Sequence, residues 1–219
     1  MQTSEPIPGE PWPHDMRIEV QDSLQTLLDL LWVREAWGLT PVGADLPPLL
    51  TETPPATLGP AAAPPASPAE WSAAWPAIWS ATVVHAADIR DPTLFAAASE
   101  ASEDSAERAI VLSRLLGPSW REEFGDAAFT DAHGAWSTAG FERRSRRPQL
   151  SLEEHPERLA LDALVPAWNS GLAKVVTIPC RGDHTRIIGP RTLLVTDETR
   201  ADPHRYRRAL TRFAASPHP

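Results

Sequence analysis

Leu24, Leu27, Leu28 and Leu31 recur at helical spacing, and Leu30, Val33 and Trp37 form a second stripe around the same axis. A helix that is apolar around most of its circumference is buried around most of it. The stretch from Asp22, as cap, to about Trp37, with Gly38 as stop, therefore reads as the central core helix. Just before it, Met16, Ile18 and Val20 alternate with polar residues, the period-two pattern of a short strand.

Further helices announce themselves by their ends. Ser67, Pro68 and Glu70 combine a capping hydroxyl, a proline at the first helical position and a reciprocal acid. That helix is expected to reach Ala87, kinked or split at Pro76, with Trp71, Trp75 and Trp79 four residues apart on one face. Others are expected over Asp91 to Glu100, Asp104 to Leu116 with Gly117 and Pro118 as a stop, Ser119 to Phe124, and Asp126 to Arg144. Ser151 and Glu154 repeat the capping pattern ahead of a helix to Leu164. After Gly171 the character changes: KVVTIP (Lys174 to Pro179) is β-branched, and Arg186 to Ile188 and Thr192 to Thr196 are two more strand candidates. A last helix opens at Asp202 and Pro203 and ends near Phe213. The expected fold class is α+β, predominantly helical with a small antiparallel sheet near the C-terminus that recruits the Met16–Val20 strand.

Proline placement refines this picture. Of 24 prolines, four fall in residues 1–15 and nine in residues 41–68. Each removes a backbone donor and biases its predecessor toward extended geometry. Residues 1–15 are accordingly read as a disordered extension, and residues 16–219 as a single globular domain with a Pro/Ala-rich arm at 40–67.

The net charge of −9 disfavours general adhesion to phosphate backbones. It is unevenly spread: residues 1–139 hold 6 basic and 20 acidic groups, residues 140–219 hold 14 and 9. No apolar run is long enough for a membrane span. One cysteine and no visible export signal point to a reducing cytoplasm.

Chemistry-bearing residues concentrate in Cys180, Arg181, Gly182, Asp183, His184, Thr185 and Arg186, read as a strand-turn-strand. Cys180 is the candidate nucleophile, because neighbouring arginines favour a thiolate, with His184 as its base and Asp183 as the group orienting that imidazole. Alternatively, Arg181, Arg186 and Arg191 form a fork for a small carboxylate or phosphate ligand. The plain structural alternative makes Gly182 and Asp183 a hairpin turn and Cys180 a small strand residue. His133, His155 and His204 could join Cys180 and His184 around a metal, but no paired-ligand motif supports one, and no metal or cofactor is assigned.

Trp71, Trp75 and Trp79 are the candidate interface, a stacking platform for a partner, although the same stripe describes a core-facing helix. Arg143, Arg144, Arg146 and Arg147 are the densest basic run, which the macrodipole favours at a helix C-terminus with or without nucleic acid. No phosphate loop, dinucleotide fingerprint or serine elbow is present. The sequence is therefore read first as a cytoplasmic interaction or accessory protein with a protein partner or self-association. A small enzyme or anion-binding module at Cys180–Arg191 is the alternative, and a weak nucleic-acid binder through Arg143–Arg147 the next.

Overall fold

A computed structural model of the chain describes residues 6–7, 10–22, 24–54, 67–89, 100, 105–146 and 148–216. Residues 91–99 of the expected helix at Asp91 to Glu100, residues 55–66 of the Pro/Ala-rich arm, and Arg147 lie outside the described residues. The chain divides into two compact units: a sheet unit of residues 1–23, 47–52 and 135–219, and a helical unit of residues 24–46 and 53–134.

The sheet unit holds strands β3 (Glu19–Gln21), β4 (Lys174–Ile178), β5 (Thr185–Gly189) and β6 (Thr192–Thr196) in the order β3-β4-β6-β5. The α+β, mostly helical class is as the sequence predicts, but the sheet is mixed rather than antiparallel. β3 runs parallel to β4 and β4 parallel to β6, and only β5 and β6 pair antiparallel. The reason is visible in burial. β4 and β6 are buried along their whole length, the mark of central parallel strands, so β6 takes the place beside β4 and β5 is left at the edge. The true hairpin lies between β5 and β6, and the stretch after β4 is a connection that passes across β6.

Val175, Leu193 and Val195 line one sheet face and pack with Met16, Ala163, Leu164, Ala167, Tyr206, Ala209, Leu210 and Phe213. The last seven come from an α-helical layer described next in chain order. It begins after the capping box of Ser151 and Glu154, where Ser151 N donates to Glu154 Oε2 at 2.8 Å. The remaining strands, β1 (Pro6–Ile7) and β2 (Glu10–Pro13), pair antiparallel where the sequence reading expects a disordered extension. A two-stranded ribbon tolerates prolines at its edges. Trp12 anchors this one: its indole N–H donates to the Met16 carbonyl at 2.9 Å, and the Arg158 guanidinium lies 4.9 Å over its ring.

In the helical unit, α1 (Gln25–Ala36) buries nine of its twelve residues, as its two apolar stripes require. Its cap position falls to Leu24, with no side-chain cap, instead of Asp22. Leu24 is itself buried, so apolar packing rather than capping sets this end. α2 (Pro68–Ala87) starts as predicted, Ser67 Oγ accepting from Glu70 N at 3.2 Å, and continues unbroken past Pro76. Burial of Trp75 and Trp79 on either side of that proline holds the two turns in line. α3 (Ala106–Leu116) and α4 (Trp120–Phe124) are each capped by a serine, Ser105 and Ser119. α5 (Asp131–Ser145) begins five residues later than Asp126, and its first turn belongs to this unit. Beyond it in the sheet unit follow α6 (Pro156–Leu159), α7 (Leu161–Asn169), α8 (Asp197–Ala201), which the sequence reading did not separate, and α9 (Pro203–Ala215).

Candidate functional site

The parallel strands β4 and β6 end at the same edge of the sheet, the edge where open parallel sheets place their ligands. After β4 the chain enters Pro179–His184, and after β6 it enters α8. The two are sewn together. Thr196, the cap of α8, donates through Oγ1 to the Gly182 carbonyl at 2.7 Å. Gly182 N donates to Glu198 Oε2 at 2.9 Å, and His184 N donates to Thr199 Oγ1 at 3.1 Å. Gly182 has φ +74°, a conformation that costs a Cβ-bearing residue strain, so glycine fixes the bend of this corner.

The predicted site residues are placed as follows. Cys180 is fully buried. A strap, Leu49–Thr51, lies along it: Leu50 pairs with Cys180 as an isolated antiparallel bridge. Thr51 N donates to the Pro179 carbonyl at 2.9 Å, and Arg181 N donates to the Leu49 carbonyl at 2.8 Å. Arg181 Nε also donates to the Leu50 carbonyl, at 2.7 Å. A thiol with no accessible surface meets no substrate in this conformation. Asp183 gives one carboxylate oxygen to Thr199 Oγ1 at 3.2 Å and the other to Arg208 Nη2 at 2.8 Å. Its carboxylate therefore braces the corner against α8 and α9.

The arginine fork is not assembled as one group. Arg181 stands at the carboxyl end of β4, whereas Arg191 lies in the β5–β6 turn at the far end of the hairpin, about 16 Å of strand away. Arg186 sits between them, opposite Leu194. Among the basic run, Arg143 pairs with Glu52 at 2.5 Å and Arg146 with Glu142 at 3.1 Å, so these two charges are already answered by acids.

Trp71, Trp75 and Trp79 are all buried, which makes them core residues of the helical unit rather than an exposed platform. Trp71 meets Trp37 and Trp120 edge-to-face, each at 5.2 Å, and Trp75 N–H donates to the Leu30 carbonyl at 2.9 Å. Indole area is too large to leave in water when a core can take it.

Two polar networks were not singled out by sequence. In the helical unit, Asp29 of α1 is buried and receives Gln25 Nε2 at 2.6 Å; His133 Nε2 lies 2.9 Å from the same oxygen, and Arg121 Nε 3.5 Å from the other. Trp32 and Phe129 rings flank the imidazole at 5.0 and 4.8 Å. In the sheet unit, buried Glu157 accepts Nε and Nη2 of Arg200, both at 2.8 Å, and the Tyr206 hydroxyl at 3.1 Å. Burial, reinforced by the Glu157 charge, pushes the Tyr206 phenol well above its ordinary range. Burial works to lower the Arg200 guanidinium, and the hydrogen bond and charge of Glu157 outweigh it and raise it. The one signal in sequence was an acid inside an apolar stripe, Asp29 among leucines. Its partner is 104 residues away and so invisible to spacing. No cluster of three or more His, Cys, Asp and Glu fit for a metal ion occurs among the described residues.

One helix breaks the burial pattern. α3 carries Ile110, Val111, Leu112, Leu115 and Leu116, and none of them is buried. Ile110 is 57% exposed, Leu112 37% and Leu116 60%. The helix is tethered at its C-terminal end, where His85 of α2 meets the Leu115 carbonyl at 3.3 Å through a ring nitrogen. Val84, next to that histidine, is 62% exposed. No described helix is long and apolar enough to cross a membrane. No protein-family model, curated protein or solved structure matches the chain.

Proposed function

We propose that the protein is an interaction or accessory protein whose docking surface is α3. The observation that carries this reading is a helix with five large apolar side chains, none of them buried, in a unit whose tryptophans are all buried. Full burial of one such side chain is worth about 1.5–3 kcal/mol. Covering the exposed parts of Leu112 and Leu116, which share one face of the helix, would therefore contribute on the order of 2 kcal/mol to a complex. Exposed apolar clusters of this kind mark partner surfaces. A cytoplasmic setting is part of the proposal and is supported by the presence of a single cysteine in the sequence.

The test is affinity purification from the native cells with the wild-type chain and with Leu112→Ser plus Leu116→Ser. A defined partner recovered with the former and lost with the latter, at unchanged melting temperature, is the expected result. A wild-type chain that stays monomeric and recovers the same proteins as the variant overturns it.

A second reading, a small enzyme or anion-binding module at the corner after β4, is favoured by the position of Arg181, Asp183 and His184 at the carboxyl edge of parallel strands. Inorganic phosphate should then raise the melting temperature of the wild type and not of Arg181→Ala plus His184→Ala. Equal melting shifts in the two, or none, remove it.

A further inference from the structure

We infer that the edge Pro179–Arg181, together with Arg143, is a binding site for an extended segment of a partner protein, and that the strap Leu49–Glu52 is the occupant supplied by the chain itself. The site lies in the sheet unit and is independent of the α3 surface.

The strap binds as an added strand does. Thr51 N donates to the Pro179 carbonyl at 2.9 Å and Arg181 N to the Leu49 carbonyl at 2.8 Å, antiparallel about the Leu50–Cys180 pair. Opposed residues of antiparallel strands share a face, and both members of this pair are buried, so the Leu50 side chain enters the interior beside the thiol. Arg181 adds a clasp, its Nε donating to the Leu50 carbonyl at 2.7 Å. Two residues after Leu50, Glu52 pairs with Arg143 of α5 at 2.5 Å. Main-chain bonds hold any extended segment, and the leucine and the acid supply the selectivity. The recognised pattern is a leucine followed two residues on by a carboxylate.

The strap is a ligand in all but linkage. Its residues, 47–52, group with the sheet unit, while the chain on both sides, 24–46 and 53–134, groups with the helical unit. It pairs outside every named strand, and Pro47, Pro48 and Pro54 have no N–H with which to lengthen the pairing. Leu50 is fully buried, whereas its neighbours Leu49, Thr51 and Glu52 are exposed. The Arg143–Glu52 pair is itself half-exposed, and such a pair is a weak tie. A tethered segment acts at an effective concentration of about a millimolar. A free peptide at micromolar concentration therefore enters only when the strap is weakened.

The experiment uses the full chain. Cys180 is its only cysteine, so the rate of labelling by a thiol reagent reads whether the edge is covered. Leu50→Ser loosens the strap and leaves the edge intact; it should raise that rate at least about tenfold, a ratio of about 1.4 kcal/mol, with the circular dichroism spectrum unchanged. A fluorescent peptide of the sequence Pro47–Thr53 should bind this variant at least about tenfold more tightly than the wild type and restore the protection of Cys180. A peptide that keeps only the leucine and the glutamate two residues on, with threonine elsewhere, should do the same, and one with serine for that leucine should not bind. Glutamine for the glutamate should weaken binding by up to about fivefold, and by nothing once Arg143→Ala is added. Thr51→Pro, which removes the donor to Pro179, is the second variant and should behave as Leu50→Ser does. Failure of the peptides to bind and protect a folded variant overturns the inference, as does labelling no faster than in the wild type or binding by the serine peptide. Loss of the fold in both variants overturns it too, because the strap is then framework rather than occupant. Equal affinity of the glutamine peptide overturns the acid requirement. A concentration-dependent wild-type dimer that Leu50→Ser abolishes overturns the partner assignment, since the occupant is then the strap of a second copy.

Discussion

Glu157 is the acceptor on which three donors converge, and removing it should be the most damaging single change in the sheet unit. In Glu157→Ala, Arg200 keeps its charge with its side chain only 23% exposed, and the Tyr206 hydroxyl stays fully buried. Breaking a buried pair from one side costs about 3–5 kcal/mol, and the partial exposure of Arg200 places this case at the lower end. The orphaned hydroxyl adds about 1 kcal/mol, for a total of about 4 kcal/mol. Glu157→Gln keeps an acceptor for the phenol but not the charge and should cost about 2 kcal/mol. Tyr206→Phe leaves the bidentate Arg200–Glu157 pair intact and should cost about 1 kcal/mol. Urea unfolding followed by circular dichroism, with calorimetry alongside, measures all three. The reasoning fails if Tyr206→Phe costs as much as Glu157→Ala, or if Glu157→Ala costs less than about 1 kcal/mol.

Tyr206 is the only tyrosine, so its ultraviolet phenolate signal can be followed alone. Its phenol is raised in the folded state, so the unfolded chain loses that proton first; the stabilisation is complete below about pH 10 and is lost as pH rises beyond it. Phenolate should appear together with unfolding, and a native protein ionising near pH 10 would contradict this. Gly117, at φ +67°, has the His85 ring over it, and a Cβ there would come within 2.1 Å of that ring. Gly117→Ala should therefore cost at least about 1–2 kcal/mol of thermal stability and loosen α3, seen as faster amide exchange in Ala106–Leu116; an unchanged melting curve would refute it. Cys180, covered by the Leu49–Thr51 strap, should resist a thiol reagent until urea is added, and stoichiometric labelling of the native protein would show the strap to be open.

Local signals carried far in this chain. The Ser67–Pro68–Glu70 start and the β-branched runs mark elements that form where their side chains say, because caps and strand propensity act within a few residues. The Ser151–Glu154 box, by contrast, opens only the short turn Leu152–Glu154, and the helix expected to Leu164 is split into α6 and α7, which continues past Pro166 to Asn169. What was hidden is non-local. The insertion of β6 between β4 and β5 depends on which strands are buried on both faces, and no six-residue stretch encodes that. The strap over Cys180 comes from residues about 130 positions earlier, and it buries the thiol that the sequence offered as a nucleophile. The Trp71–Trp79 stripe favoured a core face over a stacking platform, and its packing against Trp37 and Trp120 places it in the core. The prolines at positions 6, 11 and 13 argued against strands, yet Pro6–Ile7 pairs with Glu10–Pro13, and Trp12 bonds to the Met16 carbonyl beside them.

The pairing of Val20 with Val175 has a kinetic meaning. β3 must wait for about 150 further residues before its parallel neighbour exists, and such distant pairing is slow to form. Between the two lie all the residues of the helical unit, which can close on one another earlier. During synthesis the helical unit should therefore close first, with the pairing of β3 to β4 made afterwards.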